Sequence, residues 1–322
     1  MNEQQALKLM VPPGRKRPSK WLGGVTQVLV TSSCNLQCYG CTQASNLRTK
    51  PWFMTPDQFR DACLSLKGYK SVIGCFGGCP TVSKYFDDYC QIMQELVPFE
   101  QRGLWCNNLM GKGAICRKTF NPSVSNLNCH MDKAAYDEFK RDWPESNPFG
   151  LESDSRHAPP FVSMRDLNIP ESKRWELISQ CPINIHWSSL IGVFRGQVRA
   201  WFCEIAGSQS ILHQHEEDYP DTGLPIEAPY LYEYDGKELP WWQLPMTAFR
   251  EQVQKHCHSC GIPLKGYGEL ALAVDGKEQV SKEHEAVYKP KRAGRRVELI
   301  TVPEQLHSKG LLVTDYIGGA RK

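Results

Sequence analysis

The chain of 322 residues lacks any charge-free apolar run of about 18 residues. That excludes a transmembrane helix, and no membrane partner is expected. The N-terminal stretch, with Val11-Pro12-Pro13 followed by Arg15, Lys16 and Arg17, lacks the apolar core and small-residue cleavage pattern of a secretory leader. A cytoplasmic location is therefore expected. Charge of one sign is also scarce: the net value is +3, too small to mark a polyanion-binding protein by bulk charge. The basic residues are instead bunched near the ends, at Gly14-Arg15-Lys16-Arg17 and at Lys289-Pro290-Lys291-Arg292 with Arg295 and Arg296. These runs read either as solvated tails or as phosphate contacts to a nucleic acid such as DNA.

Cysteine, by contrast, is abundant, with 14 residues. In a reducing compartment disulfides are not expected, so the tightly spaced cysteines point to metal ligation or catalysis. Others, such as Cys63 and Cys90, read as small apolar packing groups.

The order of elements predicts an α/β protein. Residues 1–20 form a polar, proline-rich and basic lead-in, expected to be flexible. Val25 to Thr31 is a β-branched run, read as a buried strand. Thr55-Pro56 opens a helix with Phe59, Ala62, Cys63 and Leu66 on one face. Lys70 to Phe76 is the next strand, and Phe86, Tyr89, Cys90, Met93 and Leu96 mark a second amphipathic helix. Strands are predicted at Gly103 to Cys106, Val124 to Cys129 and Phe161 to Leu167, with helices from Asp132 and from Pro170 to Ser179. Such alternation implies parallel βαβ units, and five or six in series suggest a whole or partial TIM-like barrel over residues 21–180. Functional residues of such barrels sit at the C-terminal ends of strands, where the first cysteine cluster, Gly77-Gly78, Asn107-Asn108 and His130 all fall. From about Cys181 the texture changes. Ile183 to Trp187 and Val198 to Phe202 read as a hairpin around Arg195-Gly196, and a helix from Thr247 to His256 runs into Cys257-His258-Ser259-Cys260. A small metal-cluster domain is expected over 181–270, with a basic extension over 271–322.

Cys34-Asn35-Leu36-Gln37-Cys38-Tyr39-Gly40-Cys41 is a CxxxCxxC pattern. Three thiolates on one short loop can hold three irons of a [4Fe–4S] cluster and leave the fourth open. The amino and carboxylate groups of S-adenosylmethionine (SAM) can chelate that iron, and one-electron transfer then starts radical chemistry. Zinc suits the pattern poorly, because it takes two ligand pairs from separate knuckles.

On these residues the sequence resembles the radical SAM superfamily over about residues 25–180. The resemblance implies a partial (β/α)6 TIM-like barrel with the cluster loop after the first strand. It also implies an external reductant such as flavodoxin or ferredoxin. Gly77-Gly78-Cys79-Pro80 resembles the family's turn that contacts the SAM amino group, with Cys79 where an acidic residue is usual. Asn107-Asn108 resembles the polar pair that faces SAM. Gly40 stands where an aromatic residue is common, and Tyr39 lies one place earlier.

Cys181, Cys203, Cys257 and Cys260 form a hairpin-spaced pair followed by CxxC. They resemble the twitch-like auxiliary domain of some radical SAM enzymes, which implies a second [4Fe–4S] cluster. Zinc is the alternative, with His256 or His258 in place of one thiolate. His130 and Cys129 are candidates for proton transfer or hydrogen donation at the barrel mouth. Trp241-Trp242 and Tyr230 to Tyr234 read either as stacking groups for a base or as cover for a core edge. The stretches 103–108 and 126–132 weakly resemble phage-associated radical SAM proteins, some of which rearrange hypermodified thymidine in DNA. A peptide-modifying maturase and a non-catalytic metalloprotein that binds nucleic acid are the other readings.

Overall fold

Strand β1 (Val25–Thr31) is buried along its whole length and lies at the centre of a seven-stranded sheet. A computed structural model describes residues 1–16, 24–38, 40–47, 51–151, 160–264, 277–288 and 296–301. β2 (Ile73–Gly77), β3 (Arg102–Cys106) and β4 (Asn126–Leu127) add in parallel on one side of β1, in the order β4-β3-β2-β1. β5 (Ser188–Phe194) pairs in parallel with its other side, and β6 (Gln197–Trp201) and β7 (Leu224–Pro225) continue antiparallel. The architecture is thus a mixed α/β fold on a mostly parallel, partial-barrel sheet. Two two-stranded pairs stand apart from it: β8 (Leu231–Tyr234) with β9 (Lys237–Pro240), antiparallel, and β10 (Lys277–Val280) with β11 (Arg296–Leu299), parallel.

The helices form where capping and apolar spacing agree. α1 (Glu3–Leu9) begins with a capping box between Asn2 and Gln5. α2 (Pro56–Ser65) has the same device between Thr55 and Gln58, with Pro56 in its first turn. α2 and α3 (Phe86–Leu96) bury Phe59, Ala62, Phe86, Tyr89 and Met93 in the main core, and α4 (Gly113–Thr119) packs beside them through Cys116. Cys63, Cys75, Cys90 and Cys116 are buried there too, and burial raises all four thiols. α5 (Lys133–Asp142) is capped by Asp132, whose carboxylate accepts from the Ala135 amide at 3.1 Å.

Two expected strands are absent. Residues 161–167 make turns, because the Ser163 hydroxyl accepts from the Arg165 amide at 3.2 Å and competes with ladder pairing. Residues 183–186 of the second run lie in helix α7 (Pro182–His186), which follows α6 (Glu171–Ser179) and is C-capped by Trp187. Pro182 presets the first turn of α7, and the β-branched pattern loses to it. The first strand of the hairpin is β5 instead. Its turn does fall at Arg195-Gly196, both with positive φ (47° and 83°), as a two-residue I′ connection requires.

The remaining helices are α8 (Glu204–Leu212), α9 (Arg250–His256) and α10 (Lys282–Tyr288). The first sixteen residues are packed rather than loose: Ala6, Leu7 and Met10 are buried. Trp241 and Trp242 are buried at a core edge, and Gly14 lies so close that a β-carbon there would meet the Trp242 carbonyl oxygen at 2.7 Å. Among the described residues no helix is long and apolar enough to cross a membrane.

Candidate functional site

The end of β1 is fixed before the cysteine loop starts. The Thr31 hydroxyl donates to the Trp52 carbonyl at 2.8 Å and accepts from the Ser33 amide at 2.9 Å. β2 ends beside it, with Gly77 paired to Thr31. The Gly78 amide donates to the Thr31 carbonyl at 3.0 Å, and the Cys79 amide to the Ser33 carbonyl at 2.8 Å. A β-carbon on Gly78 would stand 2.0 Å from the Ser33 oxygen and 2.9 Å from Cβ of Cys34. Only glycine lets this turn lie against the loop.

Cys34 then meets the end of β3. Its sulfur accepts from the Leu36 amide and from Nδ2 of Asn107, each at 3.4 Å. Asn107 is buried, and its Oδ1 has no hydrogen-bond partner among the described residues. Burial pushes the Cys34 thiol up to about 12, and the Cys79 and Cys41 thiols push the same way, against the Leu36 and Asn107 donors. A thiolate at Cys34 therefore needs a bound cation. Cys38 meets the end of β4, its sulfur lying 3.6 Å from Nδ1 of His130. Gly40 has a φ of 58°, in the left-handed region, which favours glycine at the place before the third cysteine. Cys41 closes the loop, its carbonyl accepting from the Ala44 amide at 2.9 Å.

The other expected residues divide. Cys79 does not reach outward: its sulfur lies 3.1 Å from Oγ1 of Thr81 and 3.6 Å from the Asn108 carbonyl, tying β2 to β3. Oδ1 of Asn108 accepts from the Met110 amide at 2.7 Å, a local turn. His130 holds a positive φ of 48° and its amide donates to Oδ1 of Asn128 at 3.0 Å, which aims the ring toward Cys38. Cys129 is fully buried, and burial first, then Asp132, pushes its thiol up to about 12.

The second cysteine set borders one cavity, which Cys181, Cys203, Cys257 and Cys260 line together with Met10 and His256. Cys181 precedes α7, Cys203 precedes α8, and Cys257 and Cys260 follow α9. Burial raises all four thiols, and their mutual repulsion raises Cys203, Cys257 and Cys260 further. Backbone amides of Ile183 and Asn184 are directed at Cys181, that of Ala206 at Cys203 and that of Ile262 at Cys260. Amide donors of this kind stabilise metal-bound thiolates.

Neither histidine is spare as a ligand. Nε2 of His256 lies 3.0 Å from Oγ of Ser210, and its Nδ1 lies 3.3 Å from Oε1 of Gln209. Burial lowers its pKa to about 3, so the ring is neutral. Nδ1 of His258 accepts from Nε of Arg174 at 3.0 Å, and the ring stands edge-on to Trp175 at 4.4 Å. Among the described residues no three His, Cys, Asp or Glu side chains converge on a point that could hold one metal ion.

Two residues at this cavity carried no signal of their role in the sequence. Lys16 is buried, and its Nζ donates to the carbonyls of Asn184 at 2.7 Å and Ile183 at 3.3 Å. This removes it from the set of phosphate contacts; Arg17 and residues 289–295 lie outside the described residues. Glu204 is also buried, accepting from the Ser188 hydroxyl at 2.5 Å and, through its side chain, from Thr42. Burial raises its carboxyl to about 7.

No known family model matches this chain, and no curated protein matches it. Solved structures similar to it include two of BtrN. One is BtrN in complex with AdoMet and 2-DOIA, 16% identical, covering 76% of this chain and 94% of that one, with a TM-score of 0.42. The other is selenomethionine BtrN in an open conformation, 14% identical, covering 74% and 89%, with a TM-score of 0.35.

Proposed function

We propose that this chain is a radical SAM enzyme with two iron–sulfur clusters. The observation that carries the reading is the placement of Cys34, Cys38 and Cys41. They stand on one loop at the C-terminal end of β1, against Gly78 from β2, Asn107 from β3 and His130 from β4. When bound there, a [4Fe–4S] cluster supplies the electron that cleaves SAM and so generates the radical that takes hydrogen from substrate.

The chain's own residues have distinct tasks in this reading. Cys34, Cys38 and Cys41 hold three irons, and the absence of a fourth cysteine on the loop keeps one position open. Nδ2 of Asn107 donates to Cys34, and its unpartnered Oδ1 is an acceptor for an ammonium or hydroxyl donor at the strand ends. Gly77 and Gly78 let the turn pack directly against Thr31 and the cysteine loop, which holds the strand ends together at the site. Cys79, a buried thiol, supplies no carboxylate, and the ammonium of SAM must be held by backbone carbonyls and Asn107. The ring of His130 stands beside Cys38, in the place for a proton-transfer group. The four cysteines of the second cavity hold the second cluster, a reading supported by the one cavity they share and by their amide donors.

A flavodoxin or ferredoxin is the proposed reductant, and a hypermodified thymidine in DNA the proposed substrate. The substrate reading rests on the sequence of 103–108 and 126–132 and on Arg15, Arg17 and the 289–296 run as phosphate contacts. Each such contact should lower log affinity by about 0.9 per log unit of salt. Two measurements test the proposal. Anaerobically reconstituted protein should contain about eight irons and eight sulfides per chain, four in each cubane, and on reduction should convert SAM to 5′-deoxyadenosine. A non-catalytic metalloprotein would make none. Fluorescence anisotropy with duplex DNA at several salt concentrations tests the substrate; no binding at low salt would leave a peptide or free small molecule.

A further inference from the structure

The N-terminal arm is stitched to the second cysteine site at three points. Met10 lines the cavity. The Val11 amide donates to Oδ1 of Asn184 at 2.9 Å, and Nδ2 of Asn184 donates back to the Val11 carbonyl at 3.0 Å. Five residues on, Nζ of Lys16 donates to the backbone carbonyls of Ile183 and Asn184, both residues of the cavity wall. Lys16 is only 7% exposed.

An ammonium at that depth is costly unless a negative charge compensates it. The two carbonyls satisfy its donors but carry no net charge. Among the described residues Lys16 forms no ion pair with a carboxylate. The groups whose attraction opposes its burial are, in order, Cys203, Cys181 and Glu204. Two of these three are thiols of the cavity. Cysteine binds a metal as thiolate, so ligation places negative charge on both. Four thiolates outweigh the charge of a cubane core or of zinc, so the filled site is an anion beside Lys16.

We propose that Lys16 is the counter-ion of the metal group held by Cys181, Cys203, Cys257 and Cys260, carried into place by the N-terminal arm that walls the site. The inference rests on the reading that these four cysteines bind metal. A cation beside the group favours its reduced form, so removing the charge lowers the reduction potential. A sequence scan reads Lys16 as one of three surface cations, but its partners make it part of the site.

The test uses the full chain, reconstituted anaerobically, as wild type and as Lys16→Gln and Lys16→Arg. Glutamine keeps a donor for the two carbonyls and removes the charge; arginine keeps the charge. Iron, sulfide and zinc are counted first, and the potential of the second group is then followed by redox titration with electron paramagnetic resonance. Lys16→Gln should shift the reduction equilibrium at least tenfold toward the oxidised form, ~59 mV for one electron, and Lys16→Arg should restore it. A second measurement needs no variant: amine acylation of the wild type, mapped by mass spectrometry. Lys16 should react at least tenfold faster in the metal-free chain than in the loaded one, a comparison that also serves if the metal is zinc. Equal potentials with full metal content, or equal labelling of loaded and metal-free chains, would overturn the role of Lys16. A chain with no metal beyond the first cluster would overturn the four-cysteine reading itself, and the metal counts separate the two failures.

Discussion

Gly78 decides whether the first cysteine loop can sit where it does. With the Ser33 oxygen 2.0 Å from where its β-carbon would be, Gly78→Ala must push the loop and the β2 turn apart. Overpacking of this kind costs about 1–3 kcal/mol. The expected result is a lower Tm together with a loss of iron from the first cluster alone. Unchanged Tm and iron content would show that the turn and loop are not in contact. His284 sets a second expectation, for pH. It is buried, and its Nε2 lies 2.7 Å from the Ser259 carbonyl. Burial holds its pKa below the ordinary 6.5, against the pull of that carbonyl and of Glu283. As pH falls below 6.5 the unfolded chain takes up a proton that the folded chain resists, so stability is lost on acidification. His256 and His258, with pKa values of about 3 and 4, act in the same direction. In the metal-free protein, His284→Gln should therefore make the fall of Tm between pH 6.5 and 5 shallower without abolishing it. An unchanged slope would contradict the burial of a neutral imidazole.

At the scale of elements, the N-terminal arm is a structural member. Glu3 accepts from Arg250 at 2.7 and 3.0 Å and from Gln254 at 2.9 Å, while Leu7 and Met10 are buried. Deleting residues 1–10 should cost about 3–5 kcal/mol from the burial of these two side chains and open the second cavity, read as a lower Tm and faster loss of its metal. A truncated chain with wild-type Tm would place the arm outside the fold. Nothing in the sequence announced this, because a seven-residue helix with a mixed face has no periodic signal that stands above its polar setting. The legible elements were those with redundant cues. α2 had a cap, a first-turn proline and an apolar face, and β1 to β3 had β-branched or apolar runs followed by glycine or a polar turn. The misread segments had a single cue that a local bond overrode, Ser163 in one case and Pro182 in the other.

Across the whole molecule, the sequence spacing singled out seven cysteines, and the fold sets them in two groups, three on the loop after β1 and four around one cavity. The legible part of the candidate site is the part encoded by short spacing on one loop. The illegible part is what the tertiary fold brings in from elsewhere: Lys16 from the arm, Cys79 turned inward to β3, and the histidines of the CxxC region already engaged by Arg174, Ser210 and Gln209. The two groups also approach each other through the chain. Glu204 follows Cys203 directly, and its carboxyl accepts from Thr42, the neighbour of Cys41. The central claim is that the loop of Cys34, Cys38 and Cys41 is where SAM is cleaved. Its most direct measurement is 5′-deoxyadenosine formation by the full chain, reconstituted anaerobically and reduced, with all three residues replaced by alanine. The account predicts no product from this variant while the second site keeps about four irons. Product at the wild-type rate would contradict it.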